Sequence, residues 1–465
     1  MNKPYVHGTT DRGGRMFVKR VAERKLLEEQ YASGGSNLVI LYGRKGMGKT
    51  SLITEFLSDK KTAFYYEGME CEDHLQLQLL NGRLSKEKLD TSPSDYSVIF
   101  SMITSGDEKT ILVLDEFHYI IKNGTGILEA LRLLNDRKHP VMIVLCSSSI
   151  RWVENEMLSS LADYATYITA YMKLKDFTFV DFVNRFPKSS VETCIYINSI
   201  LGGIPEYLDA WQEELSVKDN IKSIILNKNS GLIHAPQQFL KLELREPAVY
   251  NTILYHLAQG NRKLNDLHVK TGFSRAKISV YLKNLIQLDI VEKLVPLGDE
   301  GRENAKKGLY RIRDNFLSFW YRFVFPNFSE IMLNKIDTVY EEQIEPYLDE
   351  YIGEYFADVC SEFLKLMNIH NRLPAAFQWW DRWYGKSGTI DILSQSDDKK
   401  TLISRCLWED EVAGVEIYNR LLALAEEARV VPDYCYLFSK KGFSDELRSL
   451  ATNRDDIILI GLEDL

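Results

Sequence analysis

The stretch LVILYGRKGMGKTSL, residues 38–52, decides how the chain is interpreted. Its first five residues are the apolar run of a buried strand, and SLITEFL (51–57) repeats apolar residues at helical spacing. Between them lies G-x-x-x-x-G-K-T, from Gly43 to Thr50, which is the pattern of a phosphate-binding loop. A chance glycine turn could share two or three of these positions. The complete pattern between a strand and a helix favours phosphate binding.

Each residue type in this loop has a physical role. Glycines let backbone N–H groups converge on phosphate without a clash from Cβ, and the following helix adds its N-terminal dipole. We expect Lys49 to reach the β- and γ-phosphates of ATP and the Thr50 hydroxyl to bind Mg²⁺. The residues predicted to surround the phosphates are Gly43, Arg44, Lys45, Gly46, Met47, Gly48, Lys49, Thr50 and Ser51.

The segment ILVLDEF, residues 111–117, predicts the second half of the site. Four apolar residues indicate a buried strand, and two acids stand at its carboxyl end, where open α/β sheets bind ligands. We expect Asp115 to hold Mg²⁺ through water and Glu116 to polarise the attacking water, with Lys49 as the other catalytic residue. Two solvated acids at a strand end are the alternative, which the preceding phosphate loop makes less attractive.

Three serines follow a third apolar run, VMIVLC (141–146). A polar side chain among Ser147, Ser148 and Ser149 could sense the γ-phosphate. A serine-rich turn into a helix is equally expected as simple capping, so the sequence leaves both interpretations open.

The composition excludes several classes of protein. A length of 465 residues suggests about three domains. The net charge of -9 argues against nucleic-acid binding by the whole surface, although a local basic face is compatible with it. The six cysteines form no C-x-x-C pair and are expected to be reduced core residues. Without an apolar run of about 20 residues or an apolar signal core, we expect a cytoplasmic protein.

A helix–helix–turn–helix–strand pattern spans ILYHLAQG to VEKLVPL, residues 253–297, and predicts a winged helix. Gly272 should end the second helix and Ser274 should cap the third. Arg275, Lys277 and Lys283 lie off the apolar face of the third helix and could contact the phosphates of duplex DNA. The predicted hairpin tip adds Arg302, Lys306 and Lys307. A unit used only for packing or for protein contact remains the alternative.

With these segments placed, the chain resembles the archaeal-type ATPase family, a branch of the AAA+-related signalling ATPases. The resemblance covers nearly the whole chain. It rests on FVKRVAER (17–24), DEFHYI (115–120), GGIPEYL (202–208) and YRIRDNFLSFWYRFV (310–324). The first resembles the family's F-[VI]-G-R-x-x-E box near the adenine, with Lys19 in place of glycine, and the second has His118 in place of glutamine. The resemblance implies that Pro205 touches the nucleotide base and couples a helical lid to the nucleotide state.

One departure from the family concerns an arginine. The family carries a Gly-Arg pair before K-L-K-P-F, whereas here Tyr167 stands about where the arginine belongs. An arginine near the γ-phosphate can be worth about 10³–10⁵ in rate. Arg151 is the nearest substitute in sequence. We therefore expect hydrolysis to be slow or to need an arginine from another molecule.

The aromatic run in residues 310–324 has helical spacing. We expect it to form a core that joins domains rather than a platform on which bases stack. The residues of this stripe are Phe316, Leu317, Phe319, Trp320 and Phe323.

The last domain resembles PD-(D/E)xK nucleases in this family, but its metal-binding positions have changed. The family's F-E is Phe356-Ala357 here, its I-D remains as Ile390-Asp391, and its E-C-K-W is RCLW, residues 405–408. One acid cannot hold a catalytic Mg²⁺ well, and Leu407 cannot orient a water. We expect the fold to be kept and the chemistry lost, with Arg405 paired to Asp391 across neighbouring strands. The acids of residues 409–411 are expected to be a solvated turn.

The sequence therefore predicts a multidomain α/β protein. The predicted domains are a P-loop NTPase core with a parallel sheet (1–175), a helical lid (176–245), a winged helix (246–327) and a degenerate nuclease-like α/β domain (328–465). The predicted function is an ATP-driven, Mg²⁺-dependent switch acting on DNA, a protein partner or another copy of itself. A DNA-processing ATPase with residual nuclease activity and a non-hydrolysing nucleotide-bound scaffold remain as alternatives.

Overall fold

The structure is a computed structural model, and it describes residues 20–84, 95–101, 109–123, 126–137, 139–294 and 308–465. The chain divides into two compact units. The first is Met1–Asp176 with Ile204–Glu206, and the second is Phe177–Gly203 with Tyr207–Leu465. The start of the N-terminal box, with Lys19, and the hairpin tip with Arg302, Lys306 and Lys307 lie outside the described residues.

The first unit is built on a five-stranded sheet in the order β2-β3-β4-β1-β5, and every pairing is parallel. Its strands are β1 Asn37–Tyr42, β2 Ala63–Glu67, β3 Thr110–Asp115, β4 Val141–Ser147 and β5 Ile168–Lys173. Because β3, β4 and β1 are neighbours, the two acids, the three serines and the glycine-rich loop all follow the same edge of the sheet.

The helices of this unit connect the parallel strands. They are α1 Val21–Ala32, α2 Lys49–Leu57, α3 Asp73–Leu84, α4 Tyr96–Ser101, α5 Phe117–Asn123, α6 Ile127–Asn135, α7 Ile150–Asn155 and α8 Met157–Leu161, with a 3₁₀ segment at Ala162–Tyr167.

Strands β1, β3 and β4 lie where the apolar runs predicted them, and they are buried along almost their whole length. Parallel strands covered on both faces require such continuous apolar sequence. The fifth strand, β5, lacks this signal because it is an edge strand whose buried and exposed residues are mixed.

The second unit begins with helices. They are α9 Phe179–Arg185, α10 Val191–Leu201, α11 Pro205–Leu208 (which starts in the first unit), α12 Val217–Asn220 and α13 Gly231–Glu243, with a π-helical turn at Ile221–Ile225. There follow α14 Pro247–Ala258, α15 Leu264–Thr271, α16 Arg275–Gln287, and an antiparallel hairpin of β6 Val291–Leu294 and β7 Leu309–Ile312. We call residues 247–312 the helix–hairpin segment.

The turn chemistry predicted for the helix–hairpin segment is confirmed. Gly272 closes α15 with φ +71°, a value that glycine adopts without strain. The Ser274 hydroxyl caps α16 by accepting a hydrogen bond from the backbone N–H of Lys277 at 3.2 Å. Ile278, Leu282 and Leu285 are buried, as the apolar face of this helix requires.

The aromatic stripe is also core, as predicted. Its members Phe316, Leu317, Phe319, Trp320 and Phe323 are all at most 2% exposed. Trp320 satisfies its indole N–H by donating to the carbonyl oxygen of Ile233 at 2.9 Å. These residues lie in α17 Asn315–Phe319 and the π-helical turn Trp320–Val324.

The remainder of the second unit is a mixed sheet with flanking helices. The helices are α18 Phe328–Met332, α19 Ile336–Val339, α20 Leu348–Ile369, α21 Val415–Ala428 and α22 Asp445–Thr452, with short turns at Tyr340–Ile344, Glu345–Tyr347 and Leu462–Asp464. The strands are β8 Phe377–Tyr384, β9 Thr389–Ser396, β10 Thr401–Leu407, β11 Tyr434–Ser439 and β12 Ile457–Gly461.

This second sheet has the order β12-β11-β10-β9-β8. The pairs β8–β9 and β9–β10 are antiparallel, whereas β10–β11 and β11–β12 are parallel. The α/β class predicted for the C-terminal part of the chain is therefore confirmed. Within the described ranges, no helix combines the length and apolar character needed to cross a membrane.

Candidate functional site

The glycine-rich loop depends on glycine for both its backbone and its surroundings. Gly46 and Gly48 have φ +86° and +81°, in the region that other residues rarely adopt. A Cβ at position 46 would lie 2.5 Å from the Glu206 Oε2 atom and 3.2 Å from Ile204 Cγ2. A residue larger than glycine at position 46 would therefore clash with these side chains. Helix α2 starts immediately after Gly48, as the sequence pattern predicted.

Two cations hold the carbonyl groups of the loop. Lys49 is 6% exposed, and its Nζ donates to the carbonyl oxygens of Gly43 at 2.7 Å and Arg44 at 3.2 Å. Arg20 donates to the Met47 carbonyl at 2.9 Å and to the Lys175 carbonyl at 3.0 Å. Arg20 belongs to the N-terminal box and stabilises the loop through its bond to the Met47 carbonyl.

Asp115 and Thr50 meet at the sheet edge, as predicted. The Asp115 Oδ2 atom accepts hydrogen bonds from Thr50 Oγ1 at 3.3 Å and from the Tyr65 hydroxyl at 2.8 Å. Sequence reasoning missed Tyr65, which lies on β2. Burial, together with the nearby carboxylate of Asp115, raises the pKa of Tyr65 well above its usual value. Tyr65 is therefore a neutral donor to this carboxylate.

Glu116 has an unusual backbone and an anchored carboxylate. Its φ of +47° places a non-glycine residue in the left-handed region, a conformation that is often found at functional sites. Its Oε2 atom accepts hydrogen bonds from the Ser148 backbone N–H at 2.9 Å and the Ser148 hydroxyl at 2.8 Å. His118 Nδ1 lies 3.4 Å from the same oxygen.

His118 is held in turn by Ser147, whose Oγ lies 3.1 Å from Nδ1. Burial lowers the pKa of His118, with the carboxylate of Glu116 opposing that shift and Lys49 reinforcing it. The ring is therefore favoured in its neutral form and acts as a polar neighbour of Glu116 rather than as a cation.

Gly68 is a further residue that sequence reasoning missed. It follows β2 and donates its N–H to the Asp115 carbonyl at 2.8 Å. A Cβ at this position would lie 2.6 Å from Ile120 Cγ1 and 3.0 Å from the Glu116 carbonyl oxygen. The glycine lets the chain pack closely against the turn that carries Glu116.

The structure separates the roles of the three serines. Ser149 caps α7 by accepting from the Trp152 backbone N–H at 3.4 Å, so the capping interpretation holds for this residue. Ser147 contacts His118, and Ser148 contacts Glu116. Sensing of the γ-phosphate stays a prediction.

The GGIP motif reaches the glycine-rich loop. The backbone N–H of Glu206 donates to the Gly46 carbonyl at 3.2 Å. A Cβ built on Gly48 would be 4.0 Å from Pro205 Cγ. The structure therefore places Pro205 beside the loop, and its contact with the nucleotide base stays a prediction.

The structure describes Tyr167, which stands where the family has its arginine, and Arg151, the substitute considered from the sequence. The Tyr167 hydroxyl bonds the carboxylate of Asp136, at 3.2 Å from Oδ1 and 3.3 Å from Oδ2. Arg151 is an exposed residue in the first turn of α7.

Ala357, Asp391 and Arg405, which the resemblance aligns with nuclease metal positions, line an open cavity of about 750 Å³ in the second unit. Asp391 Oδ2 accepts from Arg405 Nη1 at 2.8 Å and from the Cys406 backbone N–H at 2.9 Å, so the predicted pairing is confirmed. Leu407 packs in the apolar cluster of the sheet, and Ala357 lines the cavity.

Acids outnumber arginines around this cavity. The lining acids are Asp349, Glu350, Glu354, Asp391, Glu409, Asp410 and Glu411, and the arginines are Arg262, Arg311, Arg382 and Arg405. Each of these arginines forms an ion pair with a carboxylate. The arginines of the cavity are thus already paired, and its excess of acids does not favour an anion. Within the described ranges, no three His, Cys, Asp or Glu side chains are grouped as metal ligands.

Residues 409–411 of the turn after β10 are all exposed to solvent, as predicted, and Asp410 also takes part in ion pairs. Asp410 is exposed but pairs with Lys440 at 3.1 Å and Lys441 at 3.3 Å. The sequence pattern could not reveal this, because the lysines follow a different strand, β11.

The basic residues predicted for DNA contact are all exposed on α16. Arg275 bonds the side chain of Asn265, and Lys277 Nζ lies 4.7 Å from the Phe273 ring centroid. Lys283 lies further along the same helix.

Comparison with known families gives a consistent assignment. Residues 17–210 match the model of a family described as an ATPase domain predominantly from Archaea. Residues 320–417 match the model of a family described as archaeal and bacterial proteins of unknown function.

Residues 17–210 therefore form an ATPase domain of the archaeal P-loop type.

Two relatives of this ATPase come from Methanocaldococcus jannaschii. An uncharacterized protein is 29% identical over 399 residues, which cover 85% of this chain and 88% of that relative. An uncharacterized ATP-binding protein is 50% identical over 46 residues, which cover 10% of this chain and 78% of that relative.

Solved structures with a similar arrangement include a Walker-type ATPase of Pyrococcus abyssi. It is 17% identical, with 68% of this chain and 99% of that chain covered and a TM-score of 0.48. The ORC2 protein of Aeropyrum pernix, solved as ADPNP–ADP complexes, is 12% identical, with 72% and 98% covered and a TM-score of 0.42.

Proposed function

We propose that this ATPase binds ATP at the glycine-rich loop, hydrolyses it in the presence of Mg²⁺, and uses the nucleotide state to reposition a partner-binding unit. One observation carries the proposal. The loop, the Thr50–Asp115 pair and Glu116 come from separate segments and converge on one edge of the sheet, where α/β folds bind ligands.

The proposed roles follow from the chemistry of each group. Backbone N–H groups of residues 43–51 would surround the phosphates, and Lys49 would exchange its carbonyl partners for phosphate oxygens. Thr50 and Asp115 present two oxygens 3.3 Å apart, the ligand type that Mg²⁺ prefers. When bound there, Mg²⁺ would offset charge on the β- and γ-phosphates.

Glu116 would accept a proton from the attacking water. Its carboxylate oxygen Oε2 is already bonded to Ser148, so it is oriented before any substrate arrives. A non-hydrolysing scaffold would have no need of such an oriented carboxylate beside the Asp115 oxygen cluster. Hydrolysis is therefore favoured over the scaffold alternative.

The switch proposal rests on the helix that precedes the GGIP motif. Helix α10 ends at Gly202, and its last carbonyls are bonded by side chains from two other elements. Asn315, at the start of α17, donates to the Asn198 carbonyl at 2.8 Å. The Tyr351 hydroxyl of α20 lies 3.2 Å from the Ser199 carbonyl oxygen and 2.9 Å from the Asn315 carbonyl oxygen.

A second set of contacts joins α10 to the C-terminal part of the unit. Tyr196 bonds the Asp349 carboxylate, which also accepts from the Trp408 indole N–H at 3.1 Å. Lys440, whose side chain is 5% exposed, lies 3.5 Å from Glu192 Oε1 of α10. Such packed, bonded elements transmit displacement rather than absorb it.

The coupling route is therefore the chain from α10 through Gly203 to Ile204–Glu206. Glu206 bonds the loop carbonyl of Gly46, so a nucleotide that moves the loop would act on this segment. The same segment continues covalently from α10, which is bonded to α17 and α20. This gives ATP binding a physical connection to the helix–hairpin segment and the last sheet.

The partner is proposed to be duplex DNA, bound by the helix–hairpin segment as a winged helix. Its support is the exposure of Arg275, Lys277 and Lys283 on α16. The internally paired cavity of the last domain supports a docking role there rather than nucleic-acid cleavage. Residual nuclease activity is the less favoured candidate, because Asp391 is already bonded to Arg405.

The direct test is to purify the protein, extract any bound nucleotide with acid, and identify it by chromatography together with co-purifying nucleic acid or protein. Phosphate release from ATP is then measured with Mg²⁺ and with excess EDTA. We expect adenine nucleotide and slow, Mg²⁺-dependent release. Neither bound nucleotide nor release would contradict the proposal.

A further inference from the structure

Ser148 makes two of the hydrogen bonds that fix the Glu116 carboxylate, one from its backbone N–H and one from its hydroxyl. Both end on Oε2. From this geometry we infer that Ser148 is the positioning residue of the hydrolytic reaction: it anchors Oε2 so that Oε1 is the oxygen that takes the proton from water. The inference rests on the proposed ATP hydrolysis.

Ser148 is held in place by the elements on either side of it. It lies between the buried strand β4 and helix α7, whose first turn is capped by Ser149. Glu116 itself is constrained by its left-handed backbone, and its N–H donates to Asp115 Oδ1 at 2.9 Å. A glutamate side chain has several rotatable bonds, so a fixed anchor at its end removes most of its alternative orientations.

The neighbouring serines do not share this role. Ser147 directs its hydroxyl to His118, and Ser149 accepts from the Trp152 N–H. His118 lies against the same oxygen of Glu116 at 3.4 Å and restricts its movement. Ser148 alone, among the three serines, places its hydroxyl on the Glu116 carboxylate.

The reaction that this anchor serves balances as follows. The water oxygen forms a bond to the γ-phosphorus while the bond from that phosphorus to the bridging oxygen of ADP breaks. The water proton passes to Glu116 Oε1 and then to solvent, leaving ADP and inorganic phosphate. An anchored carboxylate acts only on the water, so its loss should change turnover and leave ATP binding unchanged.

The test compares Ser148→Ala, Ser148→Thr and Ser159→Ala with the wild type in steady-state ATPase assays and in titrations with ATP. Alanine keeps the backbone bond and loses the hydroxyl bond, so we expect kcat to fall about tenfold with KM within about twofold. Threonine keeps a hydroxyl and should restore most of the rate. Ser159→Ala is the matched control and should retain the wild-type kcat, because Ser159 is an exposed residue of α8 whose hydroxyl bonds the Glu156 carbonyl.

A double-mutant cycle separates positioning from general damage. If Ser148 acts through Glu116, adding Ser148→Ala to Glu116→Gln should not lower the residual rate further. An equal additional loss in that background would overturn the inference, as would wild-type turnover by Ser148→Ala or a loss confined to ATP affinity. Absence of Mg²⁺-dependent turnover in the wild type would remove the proposed hydrolysis and this inference together.

Discussion

Each unit of the molecule has a bonded carboxylate on a strand of its sheet, but the two acids have opposite surroundings. Asp115, at the end of β3, accepts hydrogen bonds from the Tyr65 and Thr50 hydroxyls. Asp391, on β9, accepts one from the guanidinium of Arg405 at 2.8 Å. Neutral donors leave a carboxylate its negative charge, whereas a paired guanidinium already supplies the opposite charge.

The two carboxylates therefore differ in what they can offer a metal ion. A metal ion needs carboxylates whose charge is not already compensated and other oxygens close by. The end of β3 meets that requirement with Thr50, and the β9–β10 pair does not. Function must therefore be argued from the site and not from the fold that carries it.

The largest effect is expected at Lys49, which tests the proposed nucleotide site of the first unit. Lys49→Ala should abolish ATP binding, because the ammonium group and the loop geometry act together on the phosphates. Isothermal titration calorimetry with Mg²⁺-ATP measures this directly. Lys25→Ala is a suitable control, since that side chain is 75% exposed and lies on α1. Equal ATP affinity in the Lys49 variant and the wild type would reject the site.

The next largest effect is expected at Glu116. Glu116→Gln should keep ATP affinity and lower turnover by about 10²-fold or more, because an amide cannot accept the proton from water. Gln can still accept the Ser148 hydrogen bonds, so the local structure should be preserved. Single-turnover phosphate release, with ATP titration alongside, is the measurement. Unchanged turnover would show that another group activates the water.

The parts of the site that sequence reasoning found are local in the chain. The loop, its helix and the acid pair each follow from a few consecutive residues. Tyr65 was missed, and the contact between Ser148 and Glu116 was not predicted, because both contacts depend on strand order and register. Tyr65 lies opposite Val113 on β3, and β4 pairs with β3 on the other side. No periodicity in the sequence encodes which strands become neighbours.

The last domain also shows which contacts can and cannot be predicted from the sequence. The pairing of Asp391 with Arg405 could be predicted, since both lie on strands that follow one another along the chain. The ion pairs of Asp410 could not be predicted, because Lys440 and Lys441 come from beyond β11. Contacts between consecutive strands can be read from the sequence, whereas contacts across a longer connection need the fold.

A moderate effect is expected in the helix–hairpin segment, which tests whether the second unit has a ligand of its own. If α16 binds duplex DNA, replacing Arg275, Lys277 and Lys283 together with alanine should reduce the slope of log affinity against log salt by about 2–3. Fluorescence anisotropy at several salt concentrations gives the slope. The charge-matched control replaces the exposed Lys25, Lys188 and Lys335. No DNA binding at low salt, with or without ATP, would leave protein contact as the interpretation.

The smallest effect is expected at Asp391, and it tests whether the surroundings of this carboxylate differ in function from those of Asp115. The carboxylate is only 10% exposed, but Arg405 is 32% exposed, so solvent weakens their attraction. Asn keeps an acceptor for the Cys406 N–H, and Asp391→Asn should therefore cost about 1 kcal/mol of unfolding free energy. Urea denaturation measures this, with the exposed Asp397→Asn as control.

Cleavage of plasmid and single-stranded substrates in Mg²⁺ or Mn²⁺ should stay at background in both the wild type and the Asp391 variant. Ala357 and Arg405 supply no carboxylate, and one acid cannot hold the metal. Wild-type cleavage that disappears in the Asp391 variant would show that Asp391 still belongs to a working metal site. The proposed difference between Asp391 and Asp115 would then be wrong.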